Sequence, residues 1–155
     1  MKRNQFTLLA CFFVACTVAS ISCKKDKEKS RSELIIGTWQ LTSDSYSPAY
    51  DYDGDGTSET EAISLYEACS KDNLIIFNAN NTGSFDEGAT KCDPGDDQSV
   101  AIGWALTDSD TKIAVTGLGG PIVNILQLDN STLKISYTFD ESSTTYTNTQ
   151  TFKRK

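Results

Sequence analysis

The sequence predicts an all-β domain, an eight-stranded antiparallel up-and-down barrel with one short helical turn before Cys69. Three observations predict it. Eight short runs rich in β-branched and aromatic residues follow one another at residues 34–42, 73–77, 83–86, 100–106, 112–115, 122–128, 132–139 and 144–153. The connections carry hairpin chemistry, as in Asn78-Ala79-Asn80-Asn81, Asp108-Ser109-Asp110, Asp129-Asn130 and Asp140-Glu141-Ser142-Ser143. No helical period outlasts two turns; the best stretch is 60–70, with Ile63, Leu65 and Tyr66 apolar, and it is expected to cross a barrel mouth. Eight strands is the number at which such a meander closes around an interior that holds side chains or one small ligand.

Taken in order, the 155 residues divide into three parts and provide one core. Residues 1–22 form a removable leader. Lys2 and Arg3 make a positive start, and the apolar stretch 6–21 is shorter than the roughly 20 residues a membrane-crossing helix needs. It runs into Ala19-Ser20-Ile21-Ser22-Cys23, which resembles the lipobox of bacterial lipoproteins. Cleavage before Cys23 and acylation of its sulfur and amine are expected, several acyl chains giving the stable anchor that one chain does not. The rival reading is an ordinary secretory signal cut nearby. Residues 23–32 are then a lipidated tether, whose Lys24-Lys25-Asp26-Lys27-Glu28-Lys29-Ser30 cannot build a core. Residues 33–155 are the barrel domain.

Charge separates these parts. Residues 1–32 hold seven of the 14 basic and two of the 21 acidic side chains, so the remainder has seven basic against 19 acidic residues, a net of −12. That excludes nucleic acid, whose affinity rests on neutralising phosphates. No protein partner is legible. Loss of the leader removes Cys11 and Cys16, acylation uses Cys23, and an oxidising compartment makes a disulfide the default for Cys69 and Cys92. A thiolate metal site is the weaker alternative, because the chain has no CxxC spacing and no His.

Within the barrel, Ile35, Gly37, Trp39 and Leu41 share one face of the first run, and the missing side chain at Gly37 leaves room for the Trp39 indole to plug one end of the sheet. Ile102, Trp104 and Leu106 share a face, as do Leu133, Ile135, Tyr137 and Phe139, with Lys134, Ser136 and Thr138 outside. Residues 122–128 alternate less cleanly, with Ile122, Asn124 and Leu126 on one side. In the last run Tyr146, Asn148, Gln150 and Phe152 oppose a face of threonines; Asn148 and Gln150 either line a polar cavity or face solvent.

Gly37-Thr38-Trp39 on the first strand, eight strands, and a basic residue ending the last one resemble the lipocalin superfamily. The resemblance implies that Lys153 or Arg154 packs on Trp39 at a closed barrel end. Cys69-Ser70-Lys71-Asp72-Asn73-Leu74-Ile75-Ile76-Phe77, Gly83-Ser84-Phe85-Asp86-Glu87-Gly88, Lys91-Cys92-Asp93-Pro94 and Gly103-Trp104-Ala105-Leu106 are similar to lipocalin-like lipoproteins of the Bacteroidetes type. This likeness covers residues 33–155 and implies the fold and a lipid-anchored place at the bacterial outer membrane, with no defined ligand.

One constellation could bind a metal. Asp51, Asp53, Asp55, Thr57, Glu59 and Glu61 alternate through Asp51-Tyr52-Asp53-Gly54-Asp55-Gly56-Thr57 and beyond, and calcium takes roughly six to eight such hard oxygens. The place of an EF-hand's bidentate Glu is Ala62, so this is a calcium-type loop without being an EF-hand; the alternative is a solvated acidic loop between strands. Asp93, Asp96 and Asp97, past Cys92, read as a turn first. Enzyme readings are poor, since a chain without His has no Ser-His or Cys-His pair. The expected function is therefore non-enzymatic: an envelope barrel binding a small apolar or amphipathic ligand, lined by Trp104, Tyr137 and Tyr146, with calcium as its one candidate cofactor. The alternative is a solid barrel acting as an interaction or structural module.

Overall fold

The computed structural model describes residues 28–117 and 119–155, so the expected leader and the acylated Cys23 lie outside the described residues. Eight strands close into an antiparallel barrel: β1 (Gly37–Tyr50), β3 (Leu74–Phe77), β4 (Thr82–Asp86), β5 (Ser99–Thr107), β6 (Lys112–Thr116), β7 (Val123–Leu128), β8 (Thr132–Glu141) and β9 (Thr144–Arg154). Each pairs with its neighbour, and β1 pairs with β9 to remove the last open edge. A three-residue strand, β2 (Glu59–Glu61), adds a ninth pairing along the far half of β1. Two short helices complete the order, α1 (Arg31–Ile35) ahead of the barrel and α2 (Ala68–Lys71) before β3.

Four local expectations are corrected. The first strand begins at Gly37, not at residue 34, because a capping box starts a helix upstream. Ser30 Oγ accepts from the Glu33 N–H (3.2 Å), and the Glu33 carboxylate accepts from the Ser30 N–H (2.8 Å). The helical turn expected over residues 60–70 is displaced onto Ala68–Lys71, where it contains Cys69. Its place is taken by β2, held to the β1 edge by Ala62 N–H donating to the Asp44 carbonyl (2.8 Å). In β7 the inward residues are Val123, Ile125 and Leu128, not Ile122 and Leu126, which are 59% and 57% exposed. A register shift between Ile125 and Gln127 reverses the alternation there. Ser136, expected outside, is buried.

One end of the barrel is shut. Trp39 is completely buried and donates its indole N–H to the Ile35 carbonyl (2.7 Å). The Arg154 guanidinium lies 4.2 Å from the Trp39 ring centroid and donates to the carbonyls of Ile36 (2.6 Å), Asn130 (2.7 Å) and Leu34. Lys153, the other candidate cap, points away and donates to Thr132 Oγ1 (3.0 Å). Gly37 leaves its room to Arg154 and not to the indole: at φ +142° a Cβ on residue 37 would stand 2.1 Å from Arg154 Nη1. The Cys69–Cys92 disulfide sits at the other end, tying α2 to the loop after β4.

Trp39→Ala is expected to cost about 3–5 kcal/mol, the range for emptying a buried aromatic site, read as a lower urea midpoint. Gly37→Ala should destabilise by unseating Arg154 while leaving the indole in place.

Candidate functional site: an interior space beneath a tyrosine-lined mouth

The barrel is not solid. A lower chamber of about 220 Å³ is lined by apolar side chains from β3, β6, β7, β8 and β9, among them Ile75, Ile113, Val115, Ile135 and Phe152. Its polar lining residues are Tyr137 and Gln150. An upper chamber of about 240 Å³ lies under the segment after β2, lined by Leu41, Tyr66, Ser70, Asn73 and Phe85. Ile75, Gln150 and Phe152 line both. Gln150 faces both spaces, and its side chain makes no hydrogen bond to the described residues.

A polar cluster backs the upper chamber. A register shift in β1 between Leu41 and Ser43 turns Asp44 and Tyr46 inward. Asp44 is 1% exposed; its carboxylate accepts from Asn148 Nδ2 of β9 (2.5 Å) and from the Tyr66 hydroxyl. Asn148 is fully buried, and its Oδ1 finds no donor. Burial pushes the Tyr66 hydroxyl far up, and its hydrogen bond to Asp44 adds to that, so it stays a neutral donor. Burial and then the charge of Asp44 push Tyr46 and Tyr137 up as well. Tyr66 stacks on Tyr52 (centroids 5.3 Å apart), and Tyr46, Tyr50, Phe139 and Tyr146 complete an aromatic rim.

The residues singled out from the sequence fall in different places. Tyr137 lines the lower chamber. Tyr146 lines neither chamber; it stacks on Phe139 at the rim (5.4 Å). Trp104 belongs to the shut end, where its N–H donates to the carbonyls of Asn78 (3.1 Å) and Thr82 (3.0 Å) and its ring meets Phe77 edge-on. Of the acidic loop, Asp51, Asp53 and Glu59 bring carboxylate oxygens within 4.8 Å of one another. Asp55 and Thr57 pair with each other, the Thr57 N–H donating to Asp55 (2.7 Å). Glu61 is drawn to the sheet edge, accepting from Ser43 Oγ (2.7 Å) and the N–H groups of Asp44 (2.7 Å) and Ile63 (3.2 Å). Asp93 caps its own turn by accepting from the Gly95 N–H (2.8 Å).

A family model for the lipocalin-like domain matches residues 35–135. The chain belongs to the lipocalin-like domain family. No curated protein matches it. The match spans β1 to the first part of β8, so the closing strand β9 and Arg154 lie beyond it and are assigned to the lipocalin-like barrel by geometry alone. Barrels of this strand number can hold one small ligand, and the two chambers are spaces between the strands of this lipocalin-like domain.

Sequence reasoning missed Asp44 and Tyr66. Asn148 and Gln150 were visible as polar residues on the inward face of the last strand, which was the available signal for a polar interior. Glu61 carries a measurable consequence. Burial pushes its carboxyl up, but the hydrogen bonds from Ser43, Asp44 and Ile63 outweigh burial and hold it below the usual 4.5. A carboxyl held below its unfolded value adds stability above that value and loses it as pH falls through the folded value. Glu61→Gln is thus expected to lower Tm at neutral pH, with the gap to the parent closing below about pH 4 in thermal melts.

Proposed function

We propose that this lipocalin-like domain is a non-enzymatic binding protein of the bacterial cell envelope that holds a small apolar or amphipathic ligand inside the barrel. The lower chamber carries this reading: about 220 Å³ of apolar-walled space enclosed by strands β3 and β6 to β9. The lipobox-like run ending in Cys23 supports an outer-membrane anchor, which places the barrel beside a source of apolar molecules. Calcium is a second, subordinate part of the proposal. Asp51, Asp53 and Glu59 hold three carboxylates close enough to repel one another, and a divalent cation relieves that repulsion.

The ligand reading is tested with the full chain carrying Cys23→Ser, so that no acyl chain of its own competes. N-phenylnaphthylamine should gain fluorescence on binding, and Val115→Trp, which fills the lower chamber, should abolish the gain while the protein still melts cooperatively. Unchanged fluorescence in Val115→Trp would rule out the chamber as the site. For the metal, millimolar calcium is expected to raise Tm of the parent and not of the Asp51→Asn, Asp53→Asn double variant; no shift in the parent removes calcium from the account.

A further inference from the structure

The two chambers differ in chemistry, and the difference selects a ligand class. The lower one is apolar and suits a hydrocarbon tail. The upper one presents acceptors from Tyr66 and Asn73, beside the Gln150 amide, which can accept as well as donate. The single proton of the Tyr66 hydroxyl goes to Asp44, and the hydroxyl also interacts with that of Tyr52, so what its oxygen presents to the chamber is a lone pair. Asn73, in the amide orientation that satisfies its neighbours, donates to the carbonyls of Glu87 (3.0 Å) and Cys69 (3.1 Å), leaving its oxygen. Neither lining contains Lys or Arg. A carboxylate or phosphate head group would therefore enter without a counter-charge.

The charge balance points the same way. Asp44 is buried, and among the described residues the ion pair formed is Lys112 with Asp108 (3.0 Å), far from the interior. Beside Asp44, the Asn148 Oδ1 is a fully buried acceptor with no donor. A carboxylate and an orphan carbonyl in a low-dielectric interior leave an uncompensated negative potential. The ring faces of Tyr66 and Tyr52, stacked at 5.3 Å, add the quadrupole that attracts cations.

We propose that the upper chamber takes the positively charged head of an amphiphile, a long-chain amine, whose tail lies in the lower chamber, and that Asp44 is its charge partner, acting through the Tyr66 hydroxyl. This rests on the ligand-binding reading above and goes beyond it by naming the head group. Asp44 is a positioning residue here, since Tyr66 stands between it and the space. Both its hydrogen bonds survive replacement by Asn, because the Asn148 amide can turn over to accept, so charge can be removed with the network kept.

The test compares decylamine, decanol and decanoate as competitors of N-phenylnaphthylamine on the full chain carrying Cys23→Ser. Decylamine should bind about tenfold or more tighter than decanol, the size of one charge-assisted hydrogen bond, and decanoate weakest. Asp44→Asn should bring decylamine down to the affinity of decanol, and Tyr66→Phe should narrow the same gap between the two. Equal affinities across the series overturn the proposal, as does an amine preference that survives in both variants. Should the probe itself fail to bind, the ligand-binding reading falls and this one with it.

Discussion

Arg154 is the residue on which closure of the barrel depends. A meander becomes a barrel only when its two ends pair, and here they are the first and last strands of the domain, brought together at the full loop-closure cost. The guanidinium stabilises that pairing by satisfying groups that nothing else reaches. Helix α1 ends in unpaired carbonyls, as every helix does. Arg154 takes those of Leu34 and Ile36, and Trp39 takes that of Ile35 between them. Three successive carbonyls are thus paired by two side chains from opposite ends of the domain, and the cation lies on the indole that pairs the third.

Closure at that end has consequences for the other. Lys29 reaches Asn130 (3.2 Å) and Arg31 reaches the Asp110 carbonyl (2.7 Å), so α1 and the residue before its cap also tie down the turns beyond β5 and β7 at the shut end. The mouth is held by a different device. After its register shift, β1 presents the backbone of Asp44 to Glu61 and Ala62 and the side chain of the same residue to Tyr66. One residue therefore anchors β2 by its main chain and the covering segment by its side chain. A buried carboxylate costs more than a neutral residue in either role, so its charge is surplus to what packing requires.

How far this was legible follows from what each signal encodes. Period-two alternation located all eight barrel strands, because each has a face against the core. It lost the inward direction in β7 and stopped short of the far half of β1, and in both strands a register shift changes which residues point inward without changing composition. The capping box at Ser30 and Glu33 was present in the sequence, hidden behind a charged tether that reads as unstructured. The basic cap was narrowed to Lys153 or Arg154, and the choice depended on strand parity: in an alternating strand only one of two neighbours faces the indole, and only a guanidinium reaches three carbonyls. In the acidic loop, spacing grouped Glu61 with Asp51 and Asp53, but it could not show that β2 pairs with β1 and draws Glu61 to the sheet edge.

The placement of the aromatics has a physical reason that alternation cannot express. An inward aromatic on a barrel strand is known by its face and not by its height along the axis, which is why Trp104 read as equivalent to Tyr137. Their polar atoms separate them. An indole only donates, and at the shut end both Trp39 and Trp104 give their N–H to fixed backbone carbonyls, leaving nothing polar to present inward. A phenol both donates and accepts, so Tyr66 can satisfy Asp44 and still present an acceptor. The donor-only rings close this barrel and the ring that can do both borders its space, and that division of labour makes the tyrosine-rich end the one where chemistry with a ligand is available.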